Sequence, residues 1–184
     1  KVKKAKIIVT ETCTSLEEKC KDYAKLTQVE IVTNGSNRLE NMSYMFSGCK
    51  SLKKVDFGTL DTSKVTNMSH MFEGCKSLQS IDLSQLNTAK VTDMSYLLSG
   101  CSSLKNIDLS QLNTAKVTDM SYLFSGCSSL KTIDLSQLNT SNVKTVQLIF
   151  NNCTSLKKIN MSGMDLSKVT KVVGSGDKGI TQGF

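Results

Sequence analysis

Residues 94–119 read MSYLLSGCSSLKNIDLSQLNTAKVTD, and residues 120–145 read MSYLFSGCSSLKTIDLSQLNTSNVKT; 20 of the 26 positions are identical. A fixed period of this length marks a stacked-repeat protein, because one such unit cannot bury its apolar face alone and must share a core with its neighbours. Extending the period in both directions gives windows 16–41, 42–67, 68–93, 94–119, 120–145 and 146–171. The first window is degenerate yet in register: Leu16, Cys20, Leu26 and Val29 fall where Met42, Phe46, Leu52 and Val55 stand. The chain therefore divides into an N-terminal cap with a degenerate first repeat (1–41), five repeats (42–67, 68–93, 94–119, 120–145 and 146–171), and residues 172–184. In that last stretch Val172, Val173, Ile180 and Phe184 either cover the open end of the stack or lead into a truncated next repeat.

Within a window the columns have separable roles. Asn41, Asn67, Asp93, Asp119 and Thr145 are good N-cap residues before the Met column. Met42, Met45, Phe46 and Cys49 then recur at i, i+3, i+4 and i+7, which predicts a short helical turn with one buried face. Gly48, Gly74, Gly100 and Gly126, with Asn152 in their place in the last window, predict a left-handed residue that ends the turn. The alternating run Leu78-x-x-Ile81-x-Leu83 predicts a short parallel strand. At the start, residues 15–18 (SLEE) read as a capping box, and residues 6–10 as an edge strand guarded by lysines. The expected fold is an α/β repeat: a right-handed, leucine-rich-repeat-like solenoid with one short strand and one short helical turn per repeat.

Composition narrows the class of function. The net charge is +7 with the lysines spread along the chain, which favours general attraction to anionic surfaces and gives little reason to expect a nucleic-acid partner. No run of 18 apolar residues occurs, so no segment reads as a membrane-spanning helix. The basic start lacks the apolar stretch of a signal peptide. A chain that begins at Lys1 reads as an excised fragment or a mature form, so membrane attachment is expected only through an anchor outside it.

The unit as a whole, with M-S-x-M-F-x-G-C, S-L, I-D-L-S, L-N-T and K-V-T-D-M-S, contains the L-x-x-L-x-L core of leucine-rich repeats. It resembles the BspA-type leucine-rich-repeat surface proteins, and more closely the lipoprotein-repeat family of mycoplasmas, over about residues 42–171. The resemblance implies a secreted or cell-surface protein used in adhesion or host interaction, with a protein or glycan on a host or neighbouring cell as partner. It carries no defined functional residues over. The last window departs most, with Val146, Gln147 and Asn152 in place of Met, Ser and Gly.

Four sets of residues are candidates for chemistry. Cys49, Cys75, Cys101, Cys127 and Cys153 stand one period apart, but no C-x-x-C spacing exists, so no metal site is expected and the column reads as small buried hydrophobes. Cys13 and Cys20 lie in the cap, where a disulfide and two free thiols both remain open. Asp56, Asp82, Asp108 and Asp134, followed by Ser84, Ser110 and Ser136, fall between inward strand positions and so face out. Adjacent carboxylates one layer apart repel by about 0.8 kcal/mol in water, so this row is either a ligand or cation groove or a solvated face that discourages wrong strand pairing. Tyr44, His70, Tyr96 and Tyr122 form an outward row that either anchors a partner or half-packs between layers as a roof. Lys64, Lys90, Lys116 and Lys168 form one basic row, and Lys53, Lys105, Lys131 and Lys157 another; each either meets an anionic glycan or surface, or only solubilises.

No P-loop and no Ser/His/Asp set is present, and His70 is the only histidine. Neither a catalytic residue nor a cofactor is expected. The reading is a non-enzymatic cell-surface interaction module. The alternatives are a spacer that presents another domain and a cation- or ice-binding ladder.

Overall fold

The structure, a computed structural model, describes residues 3–170. Strand β1 (Lys4–Thr10) pairs in parallel with β2 (Gln28–Asn34), and β2 with β3 (Lys54–Asp56). A second parallel pair joins β4 (Thr132–Asp134) and β5 (Lys158–Asn160). Val29 faces Val55 and Ile133 faces Ile159, one period away in each case. Further parallel pairings chain Ser15, Asn41, Asn67, Asp93, Asp119 and Thr145 into one line. Each window is thus one coil of a solenoid of about seven turns, stacked in register on the next.

The core runs the length of the stack as columns. Met42, Met68, Met94 and Met120 are at most 1% exposed, and the column Cys49, Cys75, Cys101 and Cys127 is fully covered. Phe46 stacks on Phe72 at 5.3 Å between ring centroids, and Phe124 on Phe150 at 5.6 Å. Burial fades most in the last coil, where Val146, Ile149, Phe150, Cys153 and Leu156 are half-buried, and locally at Ile107 and Leu112. The segment 172–184, with its two expected roles, lies outside the described residues.

Two sequence expectations need correction. The first concerns the helical turn, since no α-helix occurs among the described residues. Residues 42–49 form consecutive tight turns in which Met45, Ser47 and Cys49 donate their N–H to Met42, Tyr44 and Phe46. The alternate residues Met42, Tyr44, Phe46 and Gly48 instead donate along the stack, to Asn67, Ser69, Met71 and Glu73 at 2.7–3.0 Å. The physical reason is competition for the amides. A single helical turn must pay a nucleation cost for very few bonds, whereas coils in register offer every second amide a carbonyl in the next layer.

The side chains at i, i+3, i+4 and i+7 still share one buried face, because the chain of turns advances much as a helix would. Asn41, Asn67, Asp93 and Asp119 do cap backbone, but as side-chain turns that accept the N–H two residues on (Ser43, Ser69, Ser95 and Ser121) at 2.8–2.9 Å. Ser15 does the same for Glu17, and Glu18 has a positive φ of 54°, so residues 15–18 are not a helical capping box.

The second correction concerns one strand per repeat. Ordered strands occur in the coils of β1 to β3 and of β4 and β5, while the two middle coils run past each other without a strand. They begin this stretch with Ser80 and Asn106, where β3, β4 and β5 have Lys54, Thr132 and Lys158. A backbone bond from Lys105 N–H to the Gln79 carbonyl, 3.0 Å, keeps the middle layers in register.

Candidate functional site

A stack of identical coils presents its functional groups as rows. The acidic row Asp56, Asp82, Asp108 and Asp134 is exposed. Each Oδ1 accepts the N–H two residues on, from Gly58, Ser84, Ser110 and Ser136, at 2.9 Å. The Ser136 hydroxyl also donates to Asp134. These bonds from the Ser84, Ser110 and Ser136 groups hold the Asp82, Asp108 and Asp134 carboxyls below the usual carboxylate range. The row therefore closes a turn in every coil. No group of three or more His, Cys, Asp or Glu side chains that could hold a metal ion occurs among the described residues.

The aromatic row is a continuous pile of rings. Tyr44 lies 4.2 Å from His70, His70 lies 4.4 Å from Tyr96, and Tyr96 lies 4.4 Å from Tyr122, all within 9° of parallel. Lys21 sits over the outer face of Tyr44, and His70 Nδ1 contacts Glu73 Oε2 at 2.9 Å. Burial, and then the neighbouring Tyr122, push the Tyr96 phenol above its ordinary value. Within the pile the ring faces are occupied by one another, which leaves the ring edges and the tyrosine hydroxyls at the surface. All four residues have φ of 56–57°, a region that costs an L-residue about 1–2 kcal/mol. The ring stacking and the axial backbone bonds hold them there. Sequence alone gives no sign of this strain, since Gly or Asn is the usual resident.

Cys13 and Cys20 are free thiols in this structure, and the Cys13 thiol lies 3.4 Å from the Ser15 carbonyl. The repeat cysteines each donate S–H to a carbonyl one coil earlier: Cys75 to Phe46, Cys101 to Phe72 and Cys127 to Leu98, all at 3.2 Å. Burial pushes the Cys49 thiol up to about 12 and raises Cys75, Cys101 and Cys127 as well. Protonated, enclosed thiols are neither nucleophiles nor metal ligands.

A row missed in the sequence is Thr62, Thr88, Thr114 and Thr140, at most 2% exposed. The Thr88 hydroxyl donates to the Asn113 carbonyl at 3.0 Å and accepts the Asn113 N–H at 2.8 Å. Thr62 binds Asn87 in the same way, and Thr140 binds Asp165. The available signal was a Thr after each turn Asn or Asp, replaced only in the last window by Leu166.

In both lysine rows a carboxylate stands three residues away in sequence: Asp61, Asp93 and Asp119 for Lys64, Lys90 and Lys116, and Asp56, Asp108 and Asp134 for Lys53, Lys105 and Lys131. The rows differ in coupling, since hydrogen bonds from Ser63 and Ser167, and after them Lys64 and Lys168, lower the Asp61 and Asp165 carboxyls. The Lys53 row lies at the turn from the aromatic side to the strand side, in segments 49–54, 75–80, 101–106, 127–132 and 153–158.

With this geometry in hand, the comparisons with known proteins decide the family. The chain matches the family described as "Mycoplasma protein of unknown function, DUF285" over residues 14–131 and 79–175. The chain belongs to this family. Its fold is similar to the crystal structure of the T. pallidum leucine-rich-repeat protein, with a TM-score of 0.51 and 18% identity, over 84% of this chain and 62% of that one. A leucine-rich-repeat protein from Bacteroides ovatus matches with a TM-score of 0.48 and 20% identity, over 89% of this chain and 50% of that one. The chain thus spans less than two thirds of the length of either structure. No curated protein matches it. This member of the DUF285 family is a BspA-type leucine-rich-repeat protein, as the sequence resemblance implied.

Proposed function

We propose that the protein is a non-enzymatic interaction module of a cell-surface or secreted protein, which binds a host protein or glycan through one of its regular faces. The observation that supports this reading most directly is the unbroken register. Most surface columns recur over several successive coils, so the molecule offers straight rows of weak contacts that add up when one partner spans several of them. Three sets of polar groups are committed to the scaffold. The Asp carboxylates close turns, the buried Thr hydroxyls join coils, and the thiols are enclosed. The same commitment of the Asp row weighs against a cation ladder.

The test is capture of the purified chain on glycan and extracellular-matrix protein arrays and on cultured epithelial cells. Binding that weakens stepwise as repeats are removed supports the module. A chain that binds nothing on any of the three, while trimming only shortens the reach of a fused domain, supports the spacer instead.

A further inference from the structure

At the turn between the aromatic side and the strand side, Lys50, Lys53, Lys76, Lys105, Lys131 and Lys157 form a line along the stack. All six are exposed, and among the described residues none has a side-chain hydrogen bond or belongs to an ion pair (Lys6–Glu30, Lys21–Glu18 and His70–Glu73 are the ion pairs there). The line also survives a break in its own column. Gln79 stands where the other coils have Lys53 or Lys105, and in that coil Lys76 supplies the charge. Each coil from 42 to 171 thus keeps at least one lysine at this turn, although the exact position changes, and the acidic row Asp56, Asp82, Asp108 and Asp134 runs alongside it two residues further on.

We infer that this turn is the docking line for a linear acidic polysaccharide, lying along the stack axis with its charged groups against successive coils. Parallel coils are about 4.8 Å apart, so the line is a straight file of cations at the scale of single sugar units. Half-buried serines (Ser51, Ser77, Ser103 and Ser129) lie beside the lysines and offer hydroxyl contacts to a sugar. Sequence-tolerant binding of single-stranded nucleic acid relies on aromatic platforms, and these five turns carry no aromatic residue. The inference rests on the interaction-module reading and adds the face and the class of ligand.

The test measures binding of a heparin dodecasaccharide by fluorescence anisotropy across a salt series. The native protein is compared with K105Q/K131Q, and with K90Q/K116Q, which removes the same charge from another side. Circular dichroism checks that both variants are folded. The expected result is a loss of about tenfold for K105Q/K131Q, with the slope of log affinity against log salt smaller by about two, and a loss below about threefold for K90Q/K116Q. Equal losses in the two variants would reduce the effect to net charge and overturn the inference. So would no heparin binding by the native protein, or equally tight binding of a dT12 oligonucleotide. If K105Q/K131Q still captures cells as the native protein does, the docking line falls while the interaction module stands.

Discussion

Thr88 satisfies both backbone groups of Asn113 in the next coil with one buried hydroxyl. A buried N–H or C=O left without a partner costs about 1–3 kcal/mol. Thr88→Val keeps the shape and removes the hydroxyl, so urea denaturation should show a loss in that range, while Thr88→Ser should retain most of the stability. Gly100 is set just as tightly: its φ is +71°, and an added Cβ would come within 3.3 Å of the Gly74 backbone. The glycine column was legible in the sequence because Gly, with Asn152 in the last coil, is the usual resident of a left-handed position. The threonine column was not, because a Thr after Asn reads equally well as an exposed turn residue. Nothing in a local window shows that its partner lies one period away.

At the scale of the element, the cysteine column links stability to pH. Burial raises these thiols, Cys49 to about 12, so the folded chain holds protons that the unfolded chain releases. The sign follows directly. Their contribution is intact below the ordinary thiol value of about 8.5 and is lost as pH rises from there toward the folded value. Each strongly raised thiol should lower the folding free energy by about 1.4 kcal/mol per pH unit in that window. Thermal melts between pH 8 and 10.5 should therefore show a falling Tm, and Cys101→Ala should flatten the fall. A Tm that holds steady to pH 10.5 would contradict the enclosed column.

The turns at 42–49 show where reading by element fails. The inward positions were legible from spacing alone, whereas the choice between helix and stacked turns depends on the neighbouring coil, which no local pattern contains.

For the whole molecule, stability in a stack is close to a sum of nearest-neighbour terms. Deleting one full period, residues 94–119, should leave a folded chain with a smaller denaturant slope, since less surface is exposed on unfolding. Deleting 13 residues from the same place should unfold it, because every later row would lose register. The period in the sequence foretold this architecture. It did not foretell which rows build the scaffold, since a row repeats equally well whether its groups bond between coils or face solvent, and only the contacts between coils show the difference.

The central claim is that amides in the turns bond to the next coil and not within a helix, and trans-hydrogen-bond NMR coupling tests it most directly. In the deuterated, labelled protein, the Gly100 amide nitrogen should couple to the Ser125 carbonyl carbon, its acceptor at 2.6 Å. Coupling of Gly100 to the Tyr96 carbonyl, as an α-helix requires, would contradict the stacked coils.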